Sequence, residues 1–296
     1  MVSEELKKLF KFFRDMTKLG VNTVEAHRAG TNQMASMVKL PKDVKCESID
    51  AGGVPAEWVT TPKSNDHNAI LHLHGGYYIA GNVKLVRPLA AVFSRENNCR
   101  VLNLDYRLAP EFPFPAAIED ATAAYRWLID NQNIDPNNII IEGTSAGGGL
   151  TIACLLNLRD QGVSLPVAAV ALCPYVDLAL TGKSYEKNAE YDWISREMSE
   201  FCAPLYLNGV DPRNPLASPI YADFKGIPPL LIQVGSAEVL LDDSLRLVEC
   251  ARAAGVEVEL DIWEGMVHGF QDFSPTAPEC IGAVKKINDF IKRFFV

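Results

Sequence analysis

Short apolar runs alternate with amphipathic stretches along most of the chain, and this alternation constrains the fold more than any other feature. Runs of strand length occur at 68–73 (NAILHL), 100–104 (RVLNL) and 138–142 (NIIIE), and helical patterns occur at 116–131 and 244–254. Continuous apolar strands that alternate with helices predict a mostly parallel sheet with helices on both faces. Further strands are predicted at 54–60, 167–172, 229–234 and 256–263, and a closing helix at 281–295.

The charge and cysteine patterns exclude several classes of protein. The chain of 296 residues has a formal net charge of −9, which disfavours nucleic-acid binding because phosphate recognition needs clustered lysine and arginine. Its seven cysteines are dispersed and form no CxxC pair, so neither a disulfide framework nor a zinc site is expected. We therefore expect no metal and a reducing compartment.

The amino-terminal segment does not resemble a targeting sequence. Charges interrupt MVSEELKKLFKFFRDM every few residues, and no apolar stretch follows that would make it a signal peptide. No run reaches the roughly 18 apolar residues that a membrane span needs. The sequence thus predicts a cytoplasmic protein without stable membrane insertion.

A polar segment at 178–215 interrupts the alternation of strands and helices. It carries scattered aromatic residues, and we interpret it as an insertion above the strand ends. The first 45 residues begin with a helical pattern of Leu6, Phe10, Phe13 and Met16, which would pack against it. The predicted domains are a helical cap from 1–45 and 178–215, and a core from 46–177 and 216–296.

The segment Gly143-Thr144-Ser145-Ala146-Gly147 provides a candidate nucleophile. It joins a predicted strand to a predicted helix, and the Gly-x-Ser-x-Gly pattern alone also occurs in ordinary glycine-rich turns. In this context the turn is so tight that only small residues fit beside Ser145, and the hydroxyl is exposed above the sheet. We therefore predict that Ser145 is a nucleophile.

An oxyanion hole is expected at the end of an earlier strand, in Leu73-His74-Gly75-Gly76-Tyr77. Attack by a serine places negative charge on a carbonyl oxygen, and preformed N–H donors stabilise that charge. Glycines allow the backbone to approach the substrate closely. The candidate donors are the backbone N–H groups of Gly75, Gly76, Tyr77 and Ala146, while His74 is expected to fix the loop.

Among the five histidines, His268 is the candidate general base. It follows the last predicted strand on a loop, whereas His27, His67, His72 and His74 lie in a helix, a polar loop, a strand and the oxyanion loop. A serine nucleophile needs such a base to accept its proton. The order serine, acid, histidine along the chain is that of a serine hydrolase built on a parallel sheet.

Together these motifs resemble the hormone-sensitive-lipase-like (bacterial type IV) esterases of the α/β-hydrolase superfamily. The resemblance covers most of residues 70–270. The matching motifs are His74-Gly-Gly-Tyr77, Asp105-Tyr-Arg-Leu-Ala-Pro-Glu111, Pro113-Phe-Pro-Ala-Ala117, Gly143-Thr-Ser-Ala-Gly-Gly148, Ala217-Ser-Pro219 and Gly265-Met-Val-His-Gly-Phe270. Three positions depart from the usual pattern, since Tyr77 replaces a third glycine, Thr144 replaces an aspartate, and the acid after the seventh strand is not the usual aspartate.

The resemblance implies an α/β-hydrolase fold with an eight-stranded, mostly parallel sheet and a helical cap. It also implies a serine carboxylesterase that cleaves short- to medium-chain esters through an acyl-enzyme, without a cofactor. Members of this group are often dimers, so a homodimer is an expectation. A noncatalytic small-molecule receptor on the same fold, and an amidase or lactonase with the same triad, are the alternatives.

The triad acid is the least determined of the catalytic residues. The family pattern Gly-x-x-Asp-x-Leu aligns with Gly235-Ser-Ala-Glu-Val-Leu240 and so places Glu238 in the acid position. Asp242 and Asp243 resemble the first turn of the following helix, where carboxylates favour the positive end of the dipole. Glu238 is therefore the predicted acid, with Asp242 and Asp243 as alternatives.

Other side chains have weaker predicted roles. Asp105, Arg107 and Glu111 are expected to form a structural hydrogen-bonded corner. Glu119 and Asp120 are expected to cap a helix or pair with a buried partner. The candidate substrate-binding residues are Tyr77, Tyr78, Trp193 and Tyr206, although the last two would serve equally well as the core of the cap.

Overall fold

The computed structural model of the protein describes residues 2–19, 22–273 and 277–295, and within them eight strands form one sheet. The strand order is β1-β2-β4-β3-β5-β6-β7-β8. The strands are β1 (Lys45–Asp50), β2 (Pro55–Thr60), β3 (Ala69–Leu73), β4 (Arg100–Leu104), β5 (Ile139–Thr144), β6 (Ala168–Leu172), β7 (Leu230–Gly235) and β8 (Val258–Trp263).

Helices occupy the connections between the strands and both ends of the chain. They are α1 (Glu4–Leu19), α2 (Val24–Met37), α3 (Val83–Asn97), α4 (Ala116–Asp130), α5 (Ala146–Asp160), α6 (Ser184–Lys187), α7 (Arg196–Leu207), α8 (Leu241–Ala253) and α9 (Pro278–Ile291). In the part of the chain that the structure describes, no helix has the length and apolar character needed to cross a membrane.

The sheet is covered on both faces, which confirms the predicted fold class. Strands β3 to β8 pair in parallel, and β1 and β2 pair antiparallel at one edge. Apolar side chains of α4, α5 and α8 pack on one face, and those of α3 and α9 pack on the other. All six residues of β5 are buried, as its run of three isoleucines predicts.

The edge strand β1 is the main element that the residue pattern did not predict. Its residues are exposed or partly exposed throughout, because the strand lies at the margin of the sheet and, among the described strands, pairs only with β2. Without a buried face, no apolar run or strict alternation marks the strand in the sequence.

The amino-terminal helices and the 178–215 insertion contact each other. The ring of Phe13 lies 6.1 Å from that of Trp193, and the ring of His27 stacks on Phe201 at 6.2 Å. The Arg14 guanidinium donates a hydrogen bond to the backbone carbonyl of Glu190. The division of the chain into a cap and a core remains a prediction. Positions 1, 20 and 21 of the predicted cap lie outside the described residues.

Candidate active site

Ser145 lies on a sharp turn between β5 and α5. Its backbone has φ 58° and ψ −119°, a conformation that non-glycine residues rarely adopt. A Cβ atom at Gly143 would lie 2.2 Å from the carbonyl oxygen of Gly147, and one at Gly147 would lie 1.9 Å from that of Leu73. Both glycines are therefore required by close backbone contacts, and the strained turn directs Ser145 away from the strand.

The Gly75–Tyr77 loop lies directly against this turn. A Cβ atom added at Gly75 would be 3.2 Å from Cβ of Ser145. Among the described residues, the backbone N–H groups of Gly75, Gly76, Tyr77 and Ala146 donate no hydrogen bond. An oxyanion hole requires unpaired N–H groups beside a nucleophile, so these four backbone groups remain the candidate donors.

His74 holds the oxyanion loop and is not placed to act as a base. Its Nδ1 lies 2.8 Å from the carbonyl oxygen of Gly75, and its ring stacks on Tyr106 at a centroid distance of 4.2 Å. The Tyr106 hydroxyl donates to the His74 carbonyl at 2.7 Å. Burial lowers the pKa of His74 to about 4, so the imidazole is neutral and can donate from Nδ1.

Glu238 and His268 form a buried pair at the carboxyl ends of β7 and β8. Nδ1 of His268 lies 3.1 Å from Oε2 of Glu238, and the Gly235 N–H donates to Oε1 at 2.6 Å. Burial lowers the pKa of His268 and raises the pKa of Glu238. A lowered pKa keeps the imidazole neutral near pH 7, as a general base requires.

The alternative acids Asp242 and Asp243 hydrogen-bond elsewhere. Both lie in the first turn of α8, which begins at Leu241, as expected for helix-opening acids. Asp242 Oδ2 accepts the N–H groups of Lys183 and Ser184, at 2.7 and 3.1 Å. Asp243 Oδ2 accepts those of Val176 and Asp177, at 3.2 and 3.1 Å.

Both aspartates lie in the first turn of α8 as predicted, but neither caps the helix by a side-chain hydrogen bond. Each joins α8 to the segment that follows β6, and their hydrogen bonds give neither of them contact with His268. Of the three carboxylates at 238–243, only Glu238 lies beside the imidazole.

Two residues of the site were not predicted from the sequence. Asp192, from the insertion, accepts the backbone N–H groups of His268 and Val239, at 3.1 and 2.8 Å. Cys173 follows β6, and its Sγ lies within 4.8 Å of ligating atoms of both Glu238 and His268. No local motif marks either residue, because their neighbours in space are distant along the chain.

The four predicted substrate-binding aromatics fall into different environments. Tyr78 and Tyr206 stack at a centroid distance of 3.9 Å and retain 2% and 1% exposure, so they pack the junction of core and insertion. Tyr77 lies edge-on to Tyr175 at 5.6 Å. Trp193 is partly buried and donates from Nε1 to the His268 carbonyl at 2.7 Å. Of these four aromatic residues, Trp193 is thus the one that hydrogen-bonds to His268, the candidate base.

The predicted corner of Asp105, Arg107 and Glu111 does not form as a single cluster. Arg107 donates to both oxygens of the buried Asp120 and to Glu119, which makes these acids its partners. Glu111 instead receives two hydrogen bonds from Arg28. Glu119, Asp120 and Glu111 therefore have structural partners outside the active site, and the partner of Glu111 lies on the amino-terminal helix α2.

Comparison with known proteins places this geometry in context. A family model described as an alpha/beta hydrolase fold matches residues 70–272. An acetyl-hydrolase of Streptomyces hygroscopicus is 42% identical over 245 residues, which span 82% of this chain and 81% of that protein. An esterase of Acinetobacter venetianus is 35% identical over 267 residues, covering 90% and 88%. The crystal structure of an esterase from the bacterial hormone-sensitive lipase family superposes with a TM-score of 0.96 at 42% identity over 100% of both chains.

Proposed function

The chain belongs to the hormone-sensitive-lipase-like esterases of the α/β-hydrolase fold, and from this premise we propose that it is a serine carboxylesterase with the triad Ser145, His268 and Glu238. The observation that supports the assignment is the placement of three features at the carboxyl ends of the parallel strands β3, β5, β7 and β8. These are a nucleophile on a strained turn, an adjacent loop with unpaired N–H groups, and a buried histidine–carboxylate pair.

The reaction would proceed through an acyl-enzyme. His268 Nε2 accepts the Ser145 proton as Oγ attacks the ester carbonyl, and the proton then passes to the departing alkoxide, which leaves as the alcohol. Water next gives a proton to His268 while its oxygen attacks the acyl carbonyl. That proton returns to Ser145 Oγ as the carboxylic acid is released.

The surrounding groups match the charges that form in this reaction. N–H groups of Gly75, Gly76 or Tyr77, together with that of Ala146, would stabilise the oxyanion of each tetrahedral intermediate. Glu238 would orient the imidazole through Nδ1 and stabilise the imidazolium. Every step uses side chains and backbone groups of this chain together with water.

Short acyl groups are the proposed substrates. A relative that is 42% identical is named an acetyl-hydrolase, and Ser145 retains only 7% exposure. Tyr77, which replaces the usual small residue of its loop, is likewise 7% exposed and adds bulk near the nucleophile. We expect acetyl and butyryl esters to be cleaved faster than esters of long-chain acids.

A matched substrate panel tests the proposal. p-Nitrophenyl esters of increasing acyl length should be hydrolysed with the highest kcat/KM at short lengths, and the Ser145→Ala variant should be inactive. Equal or faster turnover of p-nitroacetanilide would instead indicate an amidase, and turnover of lactones alone would indicate a lactonase. A folded wild-type protein that cleaves none of these would contradict the assignment and favour a receptor.

A further inference from the structure

The segment Asn188–Trp193 of the insertion contacts the loops of both the triad acid and the triad base. Asn188 Nδ2 donates to the carbonyl of Glu238 at 2.6 Å and to that of Ser236 at 3.2 Å. Trp193 Nε1 donates to the His268 carbonyl at 2.7 Å. Four residues of the insertion thus separate two anchors, Asn188 on the Glu238 loop and Trp193 on the His268 loop.

Asp192 joins the two loops through a single carboxylate. Oδ2 accepts the N–H of Val239, and Oδ1 accepts the N–H of His268 and that of its neighbour Trp193, at 2.8, 3.1 and 2.8 Å. The side chain is 2% exposed, so water does not supply alternative partners. Burial raises the pKa of Asp192 to about 7, and the charge of His268 and the backbone N–H donors oppose this shift by favouring the ionised carboxylate.

The buried Asp192 carboxylate beside His268, when ionised, also bears on the reaction. When Nε2 of His268 takes the Ser145 proton, the imidazole becomes a cation, and a nearby anion stabilises that cation. Among the described residues, the Glu238 carboxylate contacts Nδ1 of His268, the charges of Asp192 and Asp272 raise the pKa of the imidazole, and Sγ of Cys173 lies within 4.8 Å of a ring nitrogen. Among the three, Asp192 also hydrogen-bonds the His268 backbone.

We propose that Asp192 is a positioning residue for the esterase reaction, which holds the Glu238 and His268 loops in register and stabilises the His268 imidazolium by its charge. The inference rests on the proposed function and adds to it that the insertion completes the catalytic apparatus. Opening of the insertion at this segment would disrupt the triad, so substrate must enter without displacing Asn188–Trp193.

The Asp192→Asn substitution tests the proposal because it keeps the shape of the side chain and removes its charge. We expect kcat on p-nitrophenyl butyrate to fall by about 10²-fold with little change in KM, since misplaced catalytic groups cost about this much. The acid limb of the pH profile of kcat/KM should also move to lower pH. The anion raises the pKa of His268, so its removal lowers that pKa.

Two matched variants separate the effect of the Asp192 charge from the effect of the contacts that hold the two catalytic loops. Asp243→Asn alters another buried carboxylate that accepts two backbone N–H groups, and we expect it to lower stability without moving the acid limb. Asn188→Ala keeps the Asp192 charge and removes a loop contact, so it should lower kcat without moving the acid limb. Thermal unfolding and circular dichroism of each variant establish that the chain is folded.

Several outcomes would overturn the proposal. A folded Asp192→Asn variant with wild-type kcat, or with an acid limb that stays in place, would show that the contact is only structural. If this variant does not fold, an Asn188→Ala variant with wild-type kcat would reject the positioning role. Failure of the proposed function itself would look different, because the wild-type protein would then hydrolyse no ester.

Discussion

His268 Nδ1 and Glu238 Oε2 lie 3.1 Å apart in a setting where the two side chains retain 5% and 0% exposure. The second carboxylate oxygen, Oε1, accepts the Gly235 N–H at 2.6 Å, which fixes the plane of the carboxylate. A glutamate is thus accommodated where related enzymes usually have an aspartate, because Gly235 at the end of β7 and His268 after β8 hold the two carboxylate oxygens. This contact supports Glu238 as the proposed triad acid.

Removal of the Glu238 carboxylate should impair chemistry far more than binding. We expect Glu238→Ala to lower kcat by on the order of 10³-fold or more, because the imidazole loses its orienting partner and the imidazolium its counter-charge. Steady-state hydrolysis of p-nitrophenyl butyrate measures this. A loss confined to KM would show that Glu238 acts in binding instead.

The neighbouring Asp242 should contribute to stability alone. Asp242→Ala leaves the N–H groups of Lys183 and Ser184 without their acceptor, so we expect the free energy of unfolding to fall by about 1 kcal/mol. Denaturant titration measures the loss, and kcat should stay at the wild-type value. An Asp242→Ala protein that is folded but inactive would identify Asp242 as the acid instead of Glu238.

The pH dependence of the reaction should reflect the burial of His268. Burial lowers the pKa of His268 below its usual value of 6.5, although Asp192 and Asp272 oppose the shift. The base must be neutral to accept the Ser145 proton, so kcat/KM should be constant near pH 7 and fall as pH drops through this lowered pKa. A profile from pH 4 to 8 measures it, in buffers where circular dichroism shows a folded chain. An acid limb above 6.5 would contradict the expectation.

Gly75 offers a direct test of the oxyanion loop. An alanine Cβ at this position would lie 3.0 Å from the carbonyl oxygen of Thr144 and 3.2 Å from Cβ of Ser145. The loop must shift by a few tenths of an ångström, so we expect Gly75→Ala to lower kcat by about 10²-fold, as loss of one oxyanion donor does. Gly30→Ala in α2 is the matched control, because its Cβ would meet nothing within 4 Å. Equal activity of both variants would remove Gly75 from the oxyanion hole.

The sequence was informative where function depends on short local motifs. The turn around Ser145, the loop after β3 and the buried strands each have a pattern that steric and burial constraints impose on consecutive residues. These features were enough to predict the fold class. They also predicted the places where the structure puts Ser145, Glu238 and His268.

The features that the sequence did not predict depend on contacts between segments that are distant along the chain. Asp192 hydrogen-bonds to His268 across 76 positions of sequence, and Arg28 pairs with Glu111 across 83. Nothing in the residues beside Asp192 distinguishes it from an ordinary loop acid. The helix α3 was not predicted either, and it contains Pro88, a residue that usually disfavours a helix interior.

Covalent capture of the nucleophile tests the central claim most directly. Intact-mass measurement after treatment with a p-nitrophenyl phosphonate should show one phosphonyl group per chain, and peptide mapping should place it on Ser145. The adduct should form much more slowly in the His268→Ala variant, since His268 activates the hydroxyl. A folded wild-type chain that gains no adduct, or that gains it at a residue other than Ser145, would contradict the account.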